Sequence, residues 1–366
     1  MATRRQALTG LGALAVTGVG MSQLTPAMAA PKGTKSTSAQ AVRSAAAGGP
    51  LVGAVDVHAH YLTPTYRQAL INAGITQPDG MPSIPQWSAD SALATMDTTG
   101  IAVAMLSVSS PGFDFGEAGK VSDLVRQVNE EGAAIVKAHP TRFGLMASLP
   151  LPDINAAVAE VNYAFDVLKA DGIALETNYG GTYLGDPSFS PVLAELHKRN
   201  AVVHLHPTSP ACWEATSLGA PRPMIEFLFD TTRTITQLIL GGVLLKYPGI
   251  RFIVPHTGAA LPVLADRISA FDLTQPSPVD VIGALKRLHY DVAGFALPRA
   301  LPALLNLVGP ETLLYGSDFP FTEDPIVKLL AAQLAGTTVL TPQQKQAMLN
   351  GNAAGLFPRL KNMARL

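Results

Sequence analysis

The chain has 366 residues, 48% of them apolar and 14% charged, and a net charge of −1. Such a composition supports a large core and excludes a disordered body, and the near-neutral balance excludes the basic footprint of a nucleic-acid binder. One cysteine, Cys212, leaves no disulfide framework within a monomer and no thiolate zinc site, and its ordinary reading is a small buried hydrophobe.

The chain opens with Arg4-Arg5, runs through an apolar stretch from Leu11 to Met21 and reaches small residues at Ala27-Met28-Ala29. A positive start, a short apolar run and an A-x-A site predict an export signal over residues 1–30. The paired arginines make it twin-arginine in type, with Ala7 standing where such signals usually carry a large apolar residue. The run is short for a membrane span, so a periplasmic or extracellular chain without stable membrane insertion is expected. Residues 31–50 are rich in Ser, Thr, Ala and Gly, have no apolar period, and predict a flexible linker.

From residue 51 to 366 short apolar runs alternate with amphipathic stretches. Strands are predicted at Val52–Val57, Ile101–Val108, Arg142–Ala147, Gly172–Leu175, Ala201–Leu205, Arg251–Val254, Leu288–Val292 and Thr312–Tyr315. Helical patterns lie between them, at Val121–Ala138, Ile154–Lys169, Pro191–Arg199, Arg222–Lys246 and Leu261–Phe271. Strands apolar on both faces and separated by helices indicate a parallel sheet covered on both sides, and eight such units indicate an α/β protein closed as a (β/α)8 TIM barrel. The Pro-, Gly- and Met-rich segment Gln77–Trp87 reads as an insertion over the barrel mouth.

Polar residues of interest sit at the C-terminal ends of these runs, the active-site face of a barrel. The first ends in His58-Ala59-His60, the fifth in His204-Leu205-His206-Pro207, the sixth in Pro255-His256-Thr257-Gly258 and the eighth in Ser317-Asp318-Phe319. Four strand ends delivering imidazole or carboxylate to one rim suit a borderline divalent ion such as Zn2+. His206, nearer the rim than His204, is the preferred ligand of that pair, with His204 the alternative. His256 reads as a general acid/base beside the metal, or as a further ligand. Asp318 can bind the ion or shuttle a proton next to it. His139 is read as a helix end, His197 as solvent-facing, and His289 as a core residue or a support to the site. The fourth strand carries Glu176 and no lysine, against a lysine-bridged pair of metals; Glu176 reads as a substrate contact or a solvated rim carboxylate. Trp213, Phe295 and Phe319 are candidate pocket-wall aromatics.

The motifs Val57-His58-Ala59-His60, His206-Pro207, Pro255-His256-Thr257-Gly258 and Gly316-Ser317-Asp318-Phe319-Pro320 resemble those of the amidohydrolase superfamily, in the metal-dependent decarboxylase subgroup of aminocarboxymuconate semialdehyde decarboxylase. Asn72–Ile75, Pro78–Pro82, Ala147–Asp153 and Tyr183–Pro187 look most like the 6-methylsalicylate decarboxylase branch. The resemblance implies one Zn2+, or another divalent ion, on His58, His60, His206 and Asp318, with His256 and Asp318 catalytic. It implies a homodimer in which Arg267 binds substrate carboxylate across the interface, and a hydroxylated aromatic acid as the small-molecule substrate. Hydrolysis of a lactone, ester or amide is the alternative reaction for the same ligands. Replacing Arg4 and Arg5 together with Lys is expected to block export and cleavage near Ala29; unchanged export would assign the general secretory route instead.

Overall fold

The computed structural model describes residues 49–362. The expected export signal, and the expected linker up to residue 48, lie outside the described residues. Eight strands form the barrel: β1 (Ala54–His60), β2 (Ile101–Ser107), β3 (Phe143–Ala147), β4 (Gly172–Glu176), β5 (Val202–His206), β6 (Arg251–Val254), β7 (His289–Asp291) and β8 (Leu313–Leu314). Each pairs in parallel with the next. The ring closes from β8 to β1 through one bridge, Asp56 to Tyr315. Three backbone bonds extend that seam: Val57 N to Tyr315 O at 2.9 Å, Asp318 N to His58 O at 2.7 Å and His60 N to Phe319 O at 2.8 Å.

Around the barrel run α1 (Pro64–Asn72), α2 (Ala89–Thr99), α3 (Ala118–Ala138), α4 (Ile154–Asp166), α5 (Ser190–Lys198), α6 (Glu226–Leu240) and α7 (Leu261–Asp272). Their starts follow local chemistry: Thr63, Ser88 and Asp153 each place a side-chain oxygen on a first-turn N–H, satisfying donors that a helix leaves free. The predicted Arg222–Lys246 helix is divided. A 3-10 turn, Arg222–Met224, precedes α6, and a short turn, Val243–Lys246, follows it. Gly242, at φ 68, breaks the run in a conformation that favours glycine. Among the described residues no helix is long and apolar enough to cross a membrane.

Strand β1 carries a bulge. From Asp56 to Ala59 it advances three residues while β2 advances two, from Ala104 to Leu106. Bulges re-aim side chains. Here Val57 joins the apolar cluster that also takes in Val103, Met105, Val202 and Ile253, while His58 and His60 both reach the polar mouth. The same cluster takes in Ala353, Leu356, Phe357 and Leu360, so the C-terminal segment plugs the N-terminal face of the barrel. Arg359 clamps the plug, with Nε 2.8 Å from Asp171 Oδ1 and Nη1 and Nη2 donating to the carbonyls of Pro140 and Phe143. One end is thereby sealed with side chains and the other is left for chemistry.

Candidate metal centre

Four side chains meet at the open end. One ligand atom each from His58, His60, His206 and Asp318 lie within 4.8 Å of one another, and the three histidines are buried. Their hydrogen bonds fix the tautomers. His58 Nδ1 is 2.9 Å from Asp291 Oδ2, and a carboxylate accepts only, so this nitrogen carries the proton. His206 Nδ1 is 2.8 Å from the Pro207 carbonyl, which accepts, and 3.4 Å from the Ser110 N–H, which donates; the shorter contact favours the proton on Nδ1. His60 Nδ1 lies 3.1 Å from Ser107 Oγ, and that hydroxyl donates to Ala59 O, so it accepts from the imidazole. The Nε2 atoms of all three face the centre, that of His60 3.1 Å from Asp318 Oδ1 and that of His206 3.3 Å from Ser109 Oγ. His58 Nε2 is buried without a hydrogen-bond partner, 3.5 Å from Asp318 Oδ1. An orphaned lone pair beside a carboxylate fits a bound cation. A His/Asp metal-binding site is present.

A residue not singled out from the sequence, Asp291, stands at the end of β7. Fully buried, it accepts from His58 Nδ1, from His204 Nε2 at 3.1 Å, from His256 N at 3.1 Å and from Ala293 N at 3.0 Å. The predicted strand runs on to Val292 and so leaves Asp291 inside an apolar run, whereas the observed strand ends at Asp291 and begins at His289. His204 is engaged with this carboxylate, and with His58 and Asp291 it forms a second, deeper group. Asp56 ties the same strands from below, its Oδ1 accepting from His58 N at 3.1 Å and Ser317 N at 3.0 Å.

Charge follows this geometry. Burial opposes ionisation of Asp318, but the imidazoles of His256, His58 and His60 gathered around it outweigh that and hold its carboxyl well below the usual range. Burial likewise opposes Asp291, and the His58 charge and the His204 bond keep it ionised. Burial pulls His58 down too, yet the Asp291 and Asp318 carboxylates raise it to about 10. Burial, with His60 and His58 alongside, drives His206 well down, so it stays neutral and available as a ligand. Two ionised carboxylates, Asp291 fully buried and Asp318 partly so, surround the imidazoles and form an anionic cup suited to a dication.

A pocket of about 400 Å3 opens on His206, His256 and Asp318. His256 Nε2 stands 3.8 Å from Asp318 Oδ2, at the edge rather than within the ligand group. The wall is largely apolar and includes Met81, Met224, Phe227, Leu228, Phe295 and Phe321. Phe295 is where the sequence placed it. Trp213 and Phe319 do not line this pocket; Trp213 instead lies under the Arg222 guanidinium at 4.2 Å, and Phe227 and Phe321 supply the aromatic faces. Arg267 sits on the outer face of α7 beside Phe271, outside its own chain's pocket. Glu176 is a buried carboxyl, not a solvated one: burial and the nearby Asp79 and Asp230 charges raise its pKa well above the usual range. His197 is half-buried and accepts from Gly249 N, His139 does cap a helix, and Cys212 is exposed.

The amidohydrolase family model Amidohydro_2 matches residues 55–359. The chain belongs to this family. It is 34% identical over 322 residues to the 6-methylsalicylic acid decarboxylase of Penicillium expansum, spanning 84% of this chain and 97% of that one. A solved amidohydrolase II structure superposes with a TM-score of 0.81 at 38% identity, covering 84% of this chain and all of the other. The fold is shared with 5-carboxyvanillate decarboxylase of Novosphingobium aromaticivorans, solved with manganese and 4-hydroxy-3-methoxy-5-nitrobenzoic acid, at a TM-score of 0.75 and 21% identity over 84% of this chain and 96% of that one. The TIM barrel expected from the strand pattern is the fold observed.

Asp291→Asn is expected to leave the chain folded and to lower metal affinity about 10- to 100-fold, the usual effect of losing the carboxylate behind a ligating imidazole. Competition of the loaded protein against a chelator measures it; unchanged affinity would remove Asp291 from the support of His58.

Proposed function

We propose that the protein is a metal-dependent decarboxylase of a hydroxylated aromatic acid, 6-methylsalicylate or a close analogue, using one Zn2+ held by His58, His60, His206 and Asp318. The observation that carries this reading is the pocket itself: an apolar, aromatic wall of ring size that opens at one end on His206, His256 and Asp318. The kinship with a protein named 6-methylsalicylic acid decarboxylase supports the substrate class. Three imidazoles and one carboxylate support zinc, although the N. aromaticivorans protein holds manganese.

A divalent ion at this centre would act as a Lewis acid toward the substrate's carboxylate and ortho hydroxyl. The chain's own residues then divide the work. The apolar wall excludes water and fixes the ring's plane. His256, paired with Asp318, is the proton carrier: as the bond from ring carbon to carboxyl carbon breaks and CO2 leaves, its proton forms the new C–H bond at the vacated carbon. Asp291, by fixing the His256 backbone N–H, holds that imidazole at the pocket edge.

In D2O, 2-hydroxy-6-methylbenzoate is expected to release CO2 and give a phenol with one deuterium at the vacated carbon. His256→Ala should keep the metal and lose about 100-fold or more in turnover. No CO2 from any hydroxybenzoate, together with incorporation of labelled solvent oxygen into the product from a lactone, ester or amide, would replace this reading with a hydrolase.

The chain is further read as a homodimer in which Arg267 of one copy serves the pocket of the other. Exposed Val263, Phe271 and Leu273 around α7 support a covered face there. Mixed Arg267→Ala and His256→Ala chains should recover activity that neither has alone; no recovery from co-expressed chains would contradict the shared site.

A further inference from the structure

The connection between α1 and α2 contains one 3-10 turn, Pro78–Gly80, and otherwise irregular chain, yet Pro78, Asp79 and Met81 all line the pocket. Asp79 is a carboxylate in this roof, only 7% exposed and held at φ 52, a backbone conformation that costs a non-glycine residue free energy. Its Oδ1 accepts from the Ser209 hydroxyl. Ser209 Oγ in turn accepts from Arg222 Nε at 3.1 Å, and the Arg222 guanidinium lies over Trp213. Burial raises the Asp79 pKa, and the Ser209 and Ser110 hydroxyls and the Arg222 charge pull it back. Ser110 Oγ is also 2.7 Å from Thr208 Oγ1. One carboxylate therefore gathers the segments that follow β1, β2 and β5. Gly80 completes the fit: at φ +76, a Cβ there would stand 2.6 Å from Arg222 Nη1.

We propose that Asp79, through Ser209 and Arg222, latches the β1 and β5 connections together as the roof of the pocket, and so sets how closely Met81, Pro223 and Met224 approach a bound ring. Met81 follows the Asp79–Gly80 corner, and Pro223 and Met224 follow Arg222; all three line the pocket. Asp79 is a positioning residue, with no bond to any of the four metal-centre side chains. Its carboxylate acts by fixing two otherwise independent loops, which explains why a buried charge and a strained φ are retained in an apolar roof. A neutral side chain there would lose the charge-assisted relay to Arg222, and the two loops would open against each other.

The latch rests on the aromatic-acid reading for the choice of probe only. With metal-loaded protein, the affinity for 2-hydroxy-6-methylbenzoate is measured calorimetrically for Asp79→Ala, Arg222→Ala and the double variant. Each single change is expected to weaken binding about 10-fold, the worth of one hydrogen bond to a charged group, with metal content unchanged. The double variant should be no weaker than the worse single one, because both remove the same latch. Losses that multiply, or unchanged affinity in either single variant, overturn the proposal. Should Asp79→Ala fail to fold, Asp79→Asn and Arg222→Gln supply the cycle, since Asn keeps an acceptor for Ser209 but not the charge. A readout free of substrate is Trp213 emission. The chain has two tryptophans, so Trp87→Phe leaves Trp213 alone, and acrylamide quenching of it should increase when Asp79 is changed. Wild-type protein that binds no hydroxybenzoate would sink the aromatic-acid reading while this quenching still decides the latch: an increase upholds it, and no change overturns it.

Discussion

The site depends on the buried carboxylate of Asp291. It fixes the proton of His58 on Nδ1, so that Nε2 faces the centre, and binds His204 and the backbone N–H of His256. An ionised carboxylate deep in a barrel is costly unless several donors satisfy it; here four do. One group thereby sets the tautomer of His58, occupies the competing imidazole of His204 and anchors the backbone of His256, the proposed proton carrier. The Asp–His pairing behind the ion is the arrangement by which proteins orient a ligand and raise its basicity.

Backbone strain surrounds this hub. His256, Thr257 and Ala259 beyond β6, and Asp318 beyond β8, all adopt left-handed φ values between 54 and 60, each at a cost of about 1–3 kcal/mol. Two hydrogen bonds resist relaxation: His256 N to Asp291 and Asp318 N to His58 O. The strained turns bring His256 and Asp318 within 3.8 Å of one another from strands two apart in the barrel. The bulge in β1 serves the same end from a third direction. The plugged N-terminal face, with Phe357 and Leu360 in the interior cluster, gives the rigid base against which such conformations persist.

Much of this was legible in the sequence. All eight strands lie where apolar runs stand between helical patterns, and His58, His60, His206, His256 and Asp318 follow from one rule, polar residues at strand ends. Depth was legible only as nearness to the rim, which chose His206 and left His204 as the alternative. His204 and His206 share a strand and a parity, and only the height of Asp291 in the barrel separates them. Asp291 itself was hidden because a lone aspartate after an apolar tyrosine reads as ordinary strand. Trp213 and Arg222 are apart in sequence and meet only because the loop after β5 folds back on itself. Glu176 ends its strand as a rim carboxylate would, and the loop after β2 packs Gly112 against its carboxyl; a loop's three-dimensional course leaves no periodic trace.

The most direct test of the centre is anomalous X-ray diffraction from crystals of the zinc-loaded protein. One strong peak is predicted, about 2.0–2.2 Å from the Nε2 atoms of His58, His60 and His206 and from an oxygen of Asp318, with Asp291 still on His58 Nδ1. A peak seated instead among His58, His204 and Asp291, or bound by His256 in place of His206, would contradict it.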